Sequence, residues 1–302
     1  MNFTSPAGFD RALKRAIRQA GGDPGKEYRQ ALRDRFLCRV FSDPENRYIL
    51  KGGSGMLARI PDARSTRDLD FAAIPRVPSD MALHEMERLA SRDLGDFCRF
   101  SLTKHEETMD ENGYSRLLKL RFATYVGDQE KDPILIDLSL DCSPTLPPEQ
   151  IEPLNRISLE GIVTCEYLLY SLPDQLADKL CAVMELQANG FPSSRMKDLV
   201  DIVFYATSEK VDLKQLSVAI KAECQKRNME EPTAFSAPDE WRVRFPTFAA
   251  RTKIRDEFRD FDAASNLATR FFSPALEDRI EYMCWNPDKL EWIASDGKSA
   301  LH

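Results

Sequence analysis

A glycine-rich turn between a short apolar strand and a helix is the feature that most restricts the fold of this chain. Tyr48–Leu50 is predicted to be a buried strand that runs into Gly52, Gly53 and Ser54, and a brief helix over residues 54–60 follows. Glycine lets the backbone approach a phosphate closely, and a helix N-terminus presents free N–H donors. The spacing of a Walker A loop is absent. The turn alone is a weak signal, because many strand-to-helix turns contain glycine for steric reasons only.

Two aspartates that alternate along one predicted strand follow the turn. Asp68 and Asp70 flank Leu69, so their carboxylates share one strand face. Like charges at this distance repel, and a bound divalent cation removes the repulsion. Mg²⁺ prefers carboxylate oxygens together with substrate phosphates. Asp137, on a strand over 134–140 with the same alternation, is the predicted third ligand. An exposed edge strand with solvated acids is the alternative interpretation.

The order of the predicted elements indicates an α/β fold in two domains. Ser5-Pro6 and Asp23-Pro24 open two N-terminal helices, since each pair provides a capping side chain and a first-turn proline. A helix over 80–94 and strands over 97–103, 116–125 and 134–140 follow. A segment with four prolines between residues 142 and 153 is predicted to link the lobes. We therefore expect an α/β domain over 1–150 and a mainly α-helical domain over 151–302.

Composition and charge narrow the class of protein. No run of 18 apolar residues could span a bilayer, and the first twenty residues lack the apolar core of a secretory signal. Seven cysteines without a CxxC pair argue against a disulfide framework and a zinc site. These features predict a reduced cytoplasmic protein. Residues 1–67 hold 14 Lys and Arg against 7 Asp and Glu, although the whole chain carries −7. This basic segment faces a polyanion, or it forms two amphipathic helices with solvated arginines.

The motifs in this order resemble one enzyme superfamily. The string LKGGSGMLARIPDARSTRDLDF is similar to the signature of DNA polymerase β-type nucleotidyltransferases. Its details narrow the resemblance to the AbiEii/MenT family of toxin nucleotidyltransferases, which typically shows K-G-G and then R-x-T-x-D-x-D-F. Residues 176–182 resemble the family's A-x-K-L-x-A element, and residues 195–201 match its R-x-K-D-x-x-D element. The resemblance spans residues 50 to 205.

The resemblance implies a Mg²⁺-dependent nucleotidyltransferase with a polymerase-β-like lobe built on a mixed sheet and an α-helical C-terminal lobe that completes the active site. It implies two Mg²⁺ ions that join an NTP to the metal ligands Asp68, Asp70 and Asp137. It assigns five residues to catalysis: Asp68, Asp70, Asp137, Lys179 and Asp201. It assigns six residues to nucleotide binding: Lys51, Gly53, Ser54, Arg64, Thr66 and Lys179. Without the resemblance, Lys179 is a solvated lysine, and Asp198 forms a salt bridge with Arg195 or Lys197.

The function implied is that of a toxin from a toxin–antitoxin or abortive-infection module. Such a toxin would transfer a nucleotide from an NTP to RNA, most often the 3′ acceptor end of tRNA, and so block translation. A cognate antitoxin is the implied protein partner. Two alternatives remain open from the sequence. The same fold could modify a protein hydroxyl or a small molecule, or the chain could be a catalytically idle nucleotide-binding module.

Overall fold

The described chain divides into two compact units. The computed structural model describes residues 3–64, 66–109, 113–187, 190–277 and 282–295. The first unit comprises residues 1–61, 65–143 and 148–169, and the second comprises 62–64, 144–147 and 170–302. The expected domain boundary at residue 150 precedes a strand of the first unit, Tyr167–Leu169, which pairs with the strand at Tyr48–Leu50.

The first unit is built on a mixed sheet. Its helices are α1 (Pro6–Ala20), α2 (Pro24–Phe41), α3 (Gly52–Arg59) and α4 (Ser79–Ala90). Its strands are β1 (Tyr48–Leu50), β2 (Leu69–Ala73), β3 (Cys98–Met109), β4 (Arg116–Val126), β5 (Gln129–Ser139), β6 (Glu149–Ile151) and β7 (Tyr167–Leu169). In the described residues these strands form a seven-stranded sheet in the order β3-β4-β5-β2-β1-β7-β6. The β2–β5 pair is parallel and the β1–β2 pair is antiparallel, which confirms the expected α/β fold with a mixed sheet.

Alternation along β4 and β5 separates a buried face of the sheet from a polar one. Ile134, Ile136 and Leu138 are at most 3% exposed, as the period of two predicts. The apolar face packs against α2 and α4, and the ring of Phe36 on α2 lies 5.2 Å from that of Phe100 on β3. The opposite face carries Asp137 and is polar, so it is the face on which a functional site is expected.

The N-terminal helices begin where the sequence predicts. Ser5 caps α1 by accepting the Gly8 N–H, and Asp23 caps α2 by accepting the Lys26 N–H. The arginines of α2 are not all solvated, although one of the two sequence interpretations expected solvated arginines. Arg39 is fully buried and makes a two-pronged ion pair with Asp96. Part of the basic N-terminal charge is therefore compensated inside the fold.

The sequence did not predict the short strands β6 and β7. The proline-containing segment predicted as a linker includes β6, which pairs with β7. Both strands are only three residues long, too short to show a periodic pattern. The predicted strand over 97–103 extends to Met109.

The second unit is mainly helical, as expected, and also contains a small hairpin. Its helices are α5 (Leu172–Met184), α6 (Met196–Ser208), α7 (Leu213–Lys226), α8 (Phe245–Ala249) and α9 (Phe261–Leu276). Strands β8 (Met283–Asn286) and β9 (Glu291–Ala294) pair antiparallel. Buried Trp285 on β8 packs edge-on against Phe271 of α9, with ring centres 4.8 Å apart. No helix in the described ranges is long and apolar enough to cross a membrane.

Candidate active site

The glycine turn joins β1 to α3 in a left-handed conformation. Lys51 precedes the helix, and its N–H donates to the Asp70 carbonyl, 2.8 Å away. Gly52 has φ +57°, which L side chains rarely adopt. Gly53 and Ser54 follow in the first helical turn, where N–H groups have no partner within the helix. The Ser54 hydroxyl donates to the Asp68 carbonyl at 2.8 Å, so this side chain ties the turn to the aspartate segment.

The three predicted acids lie on neighbouring strands. Asp70 on β2 is in direct parallel register with Asp137 on β5, and partners in register project to the same face. Asp68 immediately precedes β2 and shares that face with Asp70 by alternation. All three carboxylate residues are partly exposed, whereas Leu69 on the other face is buried. The sheet therefore presents three acids at one polar surface.

Asp70 is held against the glycine turn. A Cβ at position 52 would lie 2.6 Å from Oδ2 and 2.8 Å from Cγ of Asp70. The carboxylate of Asp70 thus excludes a side chain at position 52, which is a steric requirement for glycine at this turn. The Lys51 ammonium donates to the Ser139 hydroxyl at 3.2 Å, one alternation step along β5 from Asp137. The turn and the acids form one local structure.

The donor set fits a divalent cation that is shared with phosphates. Within the described ranges, no three His, Cys, Asp or Glu side chains are grouped as a metal cluster of the protein alone. Mg²⁺ commonly takes one or two carboxylates and completes its shell with substrate phosphates and water. The close approach of Asp70 to Gly52 brings a carboxylate to the N-terminus of α3, a kind of position that suits phosphate groups in general. Asp68, Asp70 and Asp137 are therefore the candidate carboxylates for such a shared cation, of which one or two would suffice.

Arg33 is a residue of this site that the sequence did not reveal. From α2, its guanidinium donates to the carbonyls of Thr66 (2.9 Å) and Arg67, just before Asp68. Burial lowers the pKa of Arg33, and the nearby negative charges of Asp68 and Asp70 oppose this lowering. Thr66 also donates its hydroxyl to the Asp68 carbonyl, at 3.2 Å. Arg33 and Thr66 therefore fix the backbone that carries the aspartates.

A pocket opens on the polar face beside these acids. Its volume is about 350 Å³, and its walls include Asp68 and Asp137. The remaining polar lining comes from strands β3 and β4: Lys104, Glu106, Lys119 and Arg121. The first unit thus combines carboxylates, a helix terminus and a cavity edged by positive charge.

The second unit contains a buried ionic cluster of Arg64, Lys179, Asp198, Asp201 and Arg195. The Lys179 ammonium lies 2.6 Å from Oδ2 of Asp201 and 3.1 Å from Oδ1 of Asp198. The Arg64 guanidinium donates two hydrogen bonds to Asp201, both 2.8 Å long. Arg195 pairs with Asp198 at 2.7 Å, as the sequence spacing predicted.

Burial decides the character of this cluster. Lys179 is 3% exposed and Asp201 is 0% exposed, so the expectation that Lys179 is a solvated surface lysine is wrong. Burial alone would lower the pKa of Lys179, but the charges of Asp201 and Asp198 raise it above its ordinary value. Burial would likewise raise the pKa of Asp198, and the positive charges of Lys179 and Arg195 lower it. The ammonium and this carboxylate are therefore both charged near neutral pH.

The residues predicted from the sequence thus fall into two groups. The first unit brings together eight of the residues discussed above: Lys51, Gly52, Gly53, Ser54, Thr66, Asp68, Asp70 and Asp137. The second unit brings together Arg64, Lys179 and Asp201. Arg64, which was predicted to contact phosphate, has its guanidinium engaged by Asp201. Lys104, Lys119 and Arg121 were missed because no motif marks them.

Comparisons with known proteins identify the family of this chain. Residues 35–278 match the family model described as "Nucleotidyl transferase AbiEii toxin, Type IV TA system". Among solved structures, the chain is similar to MenT4, a nucleotidyltransferase toxin from Mycobacterium tuberculosis, with 17% identity, a TM-score of 0.49 and coverage of 91% of this chain and 90% of that one. It is also similar to JHP933 from Helicobacter pylori, with 15% identity, a TM-score of 0.41 and coverage of 83% and 93%. No curated protein matches the chain in sequence.

Proposed function

The chain belongs to the AbiEii family of nucleotidyltransferase toxins of type IV toxin–antitoxin systems, and we propose that it transfers a nucleotide from an NTP to the 3′ acceptor end of tRNA. The observation that carries this proposal is the direct register of Asp70 with Asp137, together with the contact of Asp70 with Gly52. It supports a site in which carboxylates and a phosphate-binding turn meet. The added nucleotide would block aminoacylation of the tRNA 3′ end, and translation would stop.

The chain's own residues divide the work of the reaction. The N–H groups of Gly53 and Ser54 bind the β- and γ-phosphates at the start of α3. Mg²⁺, held by Asp68, Asp70 and Asp137, would supply charge neutralisation for the phosphates and the reacting oxygens. Lys51 adds a positive charge beside the turn. Phosphoryl transfer depends mostly on such positioning and charge neutralisation, so this inventory suits it.

The proposed step is an in-line displacement. The acceptor hydroxyl oxygen attacks the α-phosphorus, the bond from that phosphorus to the bridging oxygen breaks, and pyrophosphate leaves. The strand order has β5 on the side of β2 away from β1 and the turn. Asp137 is therefore the carboxylate on the acceptor side, and we assign to it the hydroxyl proton. In the second unit, Asp201 holds Lys179 and Arg64 in place through the ion pairs described above.

The proposal also includes a protein partner and a cellular location. Membership in a type IV toxin family implies an antitoxin, and we propose a cognate antitoxin protein as the partner of this chain. We place the reaction in the cytoplasm, where NTPs and tRNA are available. The two open alternatives differ in acceptor or in activity, and the same experiment separates them.

A labelling experiment tests the proposal. The purified protein is incubated with each of the four α-labelled NTPs, Mg²⁺ and total tRNA. We expect label on tRNA with at least one NTP, and none after EDTA treatment. Asp70→Asn should abolish the label, whereas Asp128→Asn, at an exposed turn between β4 and β5, should not. The same labelling run on a cell lysate tests the other acceptors: label that survives RNase but not protease would assign the acceptor to a protein instead, and absence of label on tRNA with all four NTPs would refute transfer to tRNA.

A further inference from the structure

Three cations on the β3–β4 hairpin share one pocket with the proposed metal ligands. Lys119 on β4 lies in register with Asp137 on β5, and Arg121 lies one alternation step along the same strand. Lys104 on β3 lies in register with Arg121. All three line the 350 Å³ pocket that Asp68 and Asp137 also line. We call Lys104, Lys119 and Arg121 the basic hairpin face.

Charge pairing within the fold explains only part of this face. Over the described ranges, the side chains of Lys119 and Arg121 have no ion-pair partner within 4.0 Å. Lys104 lies 3.5 Å from Glu106, but both side chains are at least 60% exposed, and such pairs contribute little. Lys104 and Arg121 are like charges directly opposite each other, which destabilises a strand pair. Lys104 and Arg121 therefore repel each other in the absence of an anionic ligand, whereas Lys119 lies in register between the acids Glu106 and Asp137.

The order of the strands shows on which side of the acids the basic hairpin face lies. The glycine turn continues from β1, which neighbours β2 on one side, whereas β5, β4 and β3 lie on the other side of β2. In an in-line transfer the attacking and leaving oxygens are on opposite sides of the phosphorus. Because the turn takes the phosphates that leave, the hairpin side remains for the acceptor. An anion bound there belongs to the acceptor and not to the leaving group.

We propose that the basic hairpin face binds the phosphodiester backbone of the RNA strand that leads to the 3′ hydroxyl. This inference rests on the proposed function, and it identifies the acceptor as a polyanionic strand. Lys119, which lies in register with Asp137, binds the phosphate nearest the reacting end. Arg121 and Lys104 bind the phosphates that follow along the strand. The helix α1, whose exposed arginines face solvent, is not part of this surface.

Salt dependence gives the expected size of the effect. Each phosphate contact to a single strand contributes about −0.7 to the slope of log affinity against log salt concentration. Loss of three contacts should therefore reduce the slope by about 2. At 0.1 M salt, relative to a 1 M reference, this change corresponds to an affinity about 100-fold weaker.

Two triple variants test the proposal with equal changes in charge. The hairpin variant carries Lys104→Gln, Lys119→Gln and Arg121→Gln. The control variant carries substitutions on the exposed face of α1: Arg11→Gln, Arg15→Gln and Arg18→Gln. The probe is a fluorescein-labelled RNA hairpin with a four-nucleotide single-stranded 3′ end. Its affinity is measured by anisotropy without NTP, over a range of salt concentrations, and thermal melting verifies that both variants fold.

The outcomes separate this inference from the proposed function. For the hairpin variant we expect RNA binding about 100-fold weaker at 0.1 M salt, with the salt slope reduced by about 2, and a raised KM for RNA with an unchanged KM for NTP. The control variant should bind RNA like the wild type. Equal loss of RNA binding in both variants, or a raised KM for NTP alone, would overturn the inference.

If the wild-type protein binds the RNA probe through the basic hairpin face of the protein but labels no tRNA, the proposed function fails and the inference stands. If the wild type and the hairpin variant label tRNA equally, the inference fails and the proposed function stands. If the hairpin variant does not fold, the three single substitutions repeat the test, each with an expected loss of about fivefold.

Discussion

Replacing Gly52 by alanine should separate the geometry of the site from the stability of the fold. The residue has φ +57°, and a non-glycine residue in this left-handed region costs about 1–2 kcal/mol. The new Cβ would lie 2.6 Å from the Asp70 carboxylate, where ordinary contact begins at 3.4 Å. The carboxylate must therefore move by about 0.8 Å, because the backbone on the other side is fixed by the strand.

This displacement predicts a loss of activity larger than the loss of stability. A misplacement of about 1 Å at a reacting centre can reduce the rate about 10²-fold. We expect Gly52→Ala to lower the free energy of unfolding by about 1–2 kcal/mol and to lower the rate of nucleotide transfer about 100-fold. The assay is transfer of α-labelled NTP to tRNA at saturating substrates, alongside urea denaturation of the same preparation.

A second glycine provides the matched control. Gly21, at the end of α1, also has positive φ (+82°), but a Cβ there meets nothing within 4 Å. Gly21→Ala should destabilise the protein by at least a similar amount and leave the rate of transfer unchanged. If Gly52→Ala transfers nucleotide within threefold of the wild-type rate, the position of Asp70 against the turn does not matter, and this reasoning fails.

Three further predictions concern buried charge. Lys179→Met leaves Asp198 and Asp201 without their shared ammonium, and should lower the free energy of unfolding by about 3–5 kcal/mol in urea denaturation; a change below 1 kcal/mol would contradict the role of the cluster. Arg39→Met leaves fully buried Asp96 with only the more distant Arg35, 3.7 Å away, as an ion-pair partner, and a loss of up to that size is expected in the same measurement, whereas an unchanged midpoint would show that the Arg39–Asp96 pair is dispensable. Because the pKa of Asp198 is lower in the folded protein than in the unfolded chain, its ionised form stabilises the fold above the ordinary aspartate pKa. This stabilisation is lost as the pH falls through the pKa of Asp198 in the folded protein, so the free energy of unfolding should drop below about pH 4. Asp198→Asn should reduce that drop between pH 7 and pH 3, and an identical pH profile would argue against it.

Part of the site could be predicted because its signals are local in the chain. The turn at Gly52 and the alternation of Asp68 with Asp70 depend on neighbours a few residues away, and β2 and α3 form as that spacing indicates. The start of α1 at Pro6 and of α2 at Pro24 followed from capping residues in the same way. Short strands such as β6 had no such signal, because three residues are too few to show a periodic pattern.

The family resemblance led to Lys179 and Asp201, but only the fold explains their environment. A lysine on a helix is ordinarily solvated, and burial with two aspartates becomes visible only when α5 and α6 pack together. Arg33 is a similar case, since its partners are carbonyls more than thirty residues away.

The sequence by itself determined the glycine turn, the paired aspartates and the α/β class, because strand alternation and helix caps are read from adjacent residues. The tertiary structure decided which side chains meet across strands and helices. It set Asp70 beside Asp137 and aligned Lys119 with the same acid. It also made a buried cluster of Lys179 and its partners. Register and burial arise from contacts between distant segments, so no local pattern encodes them.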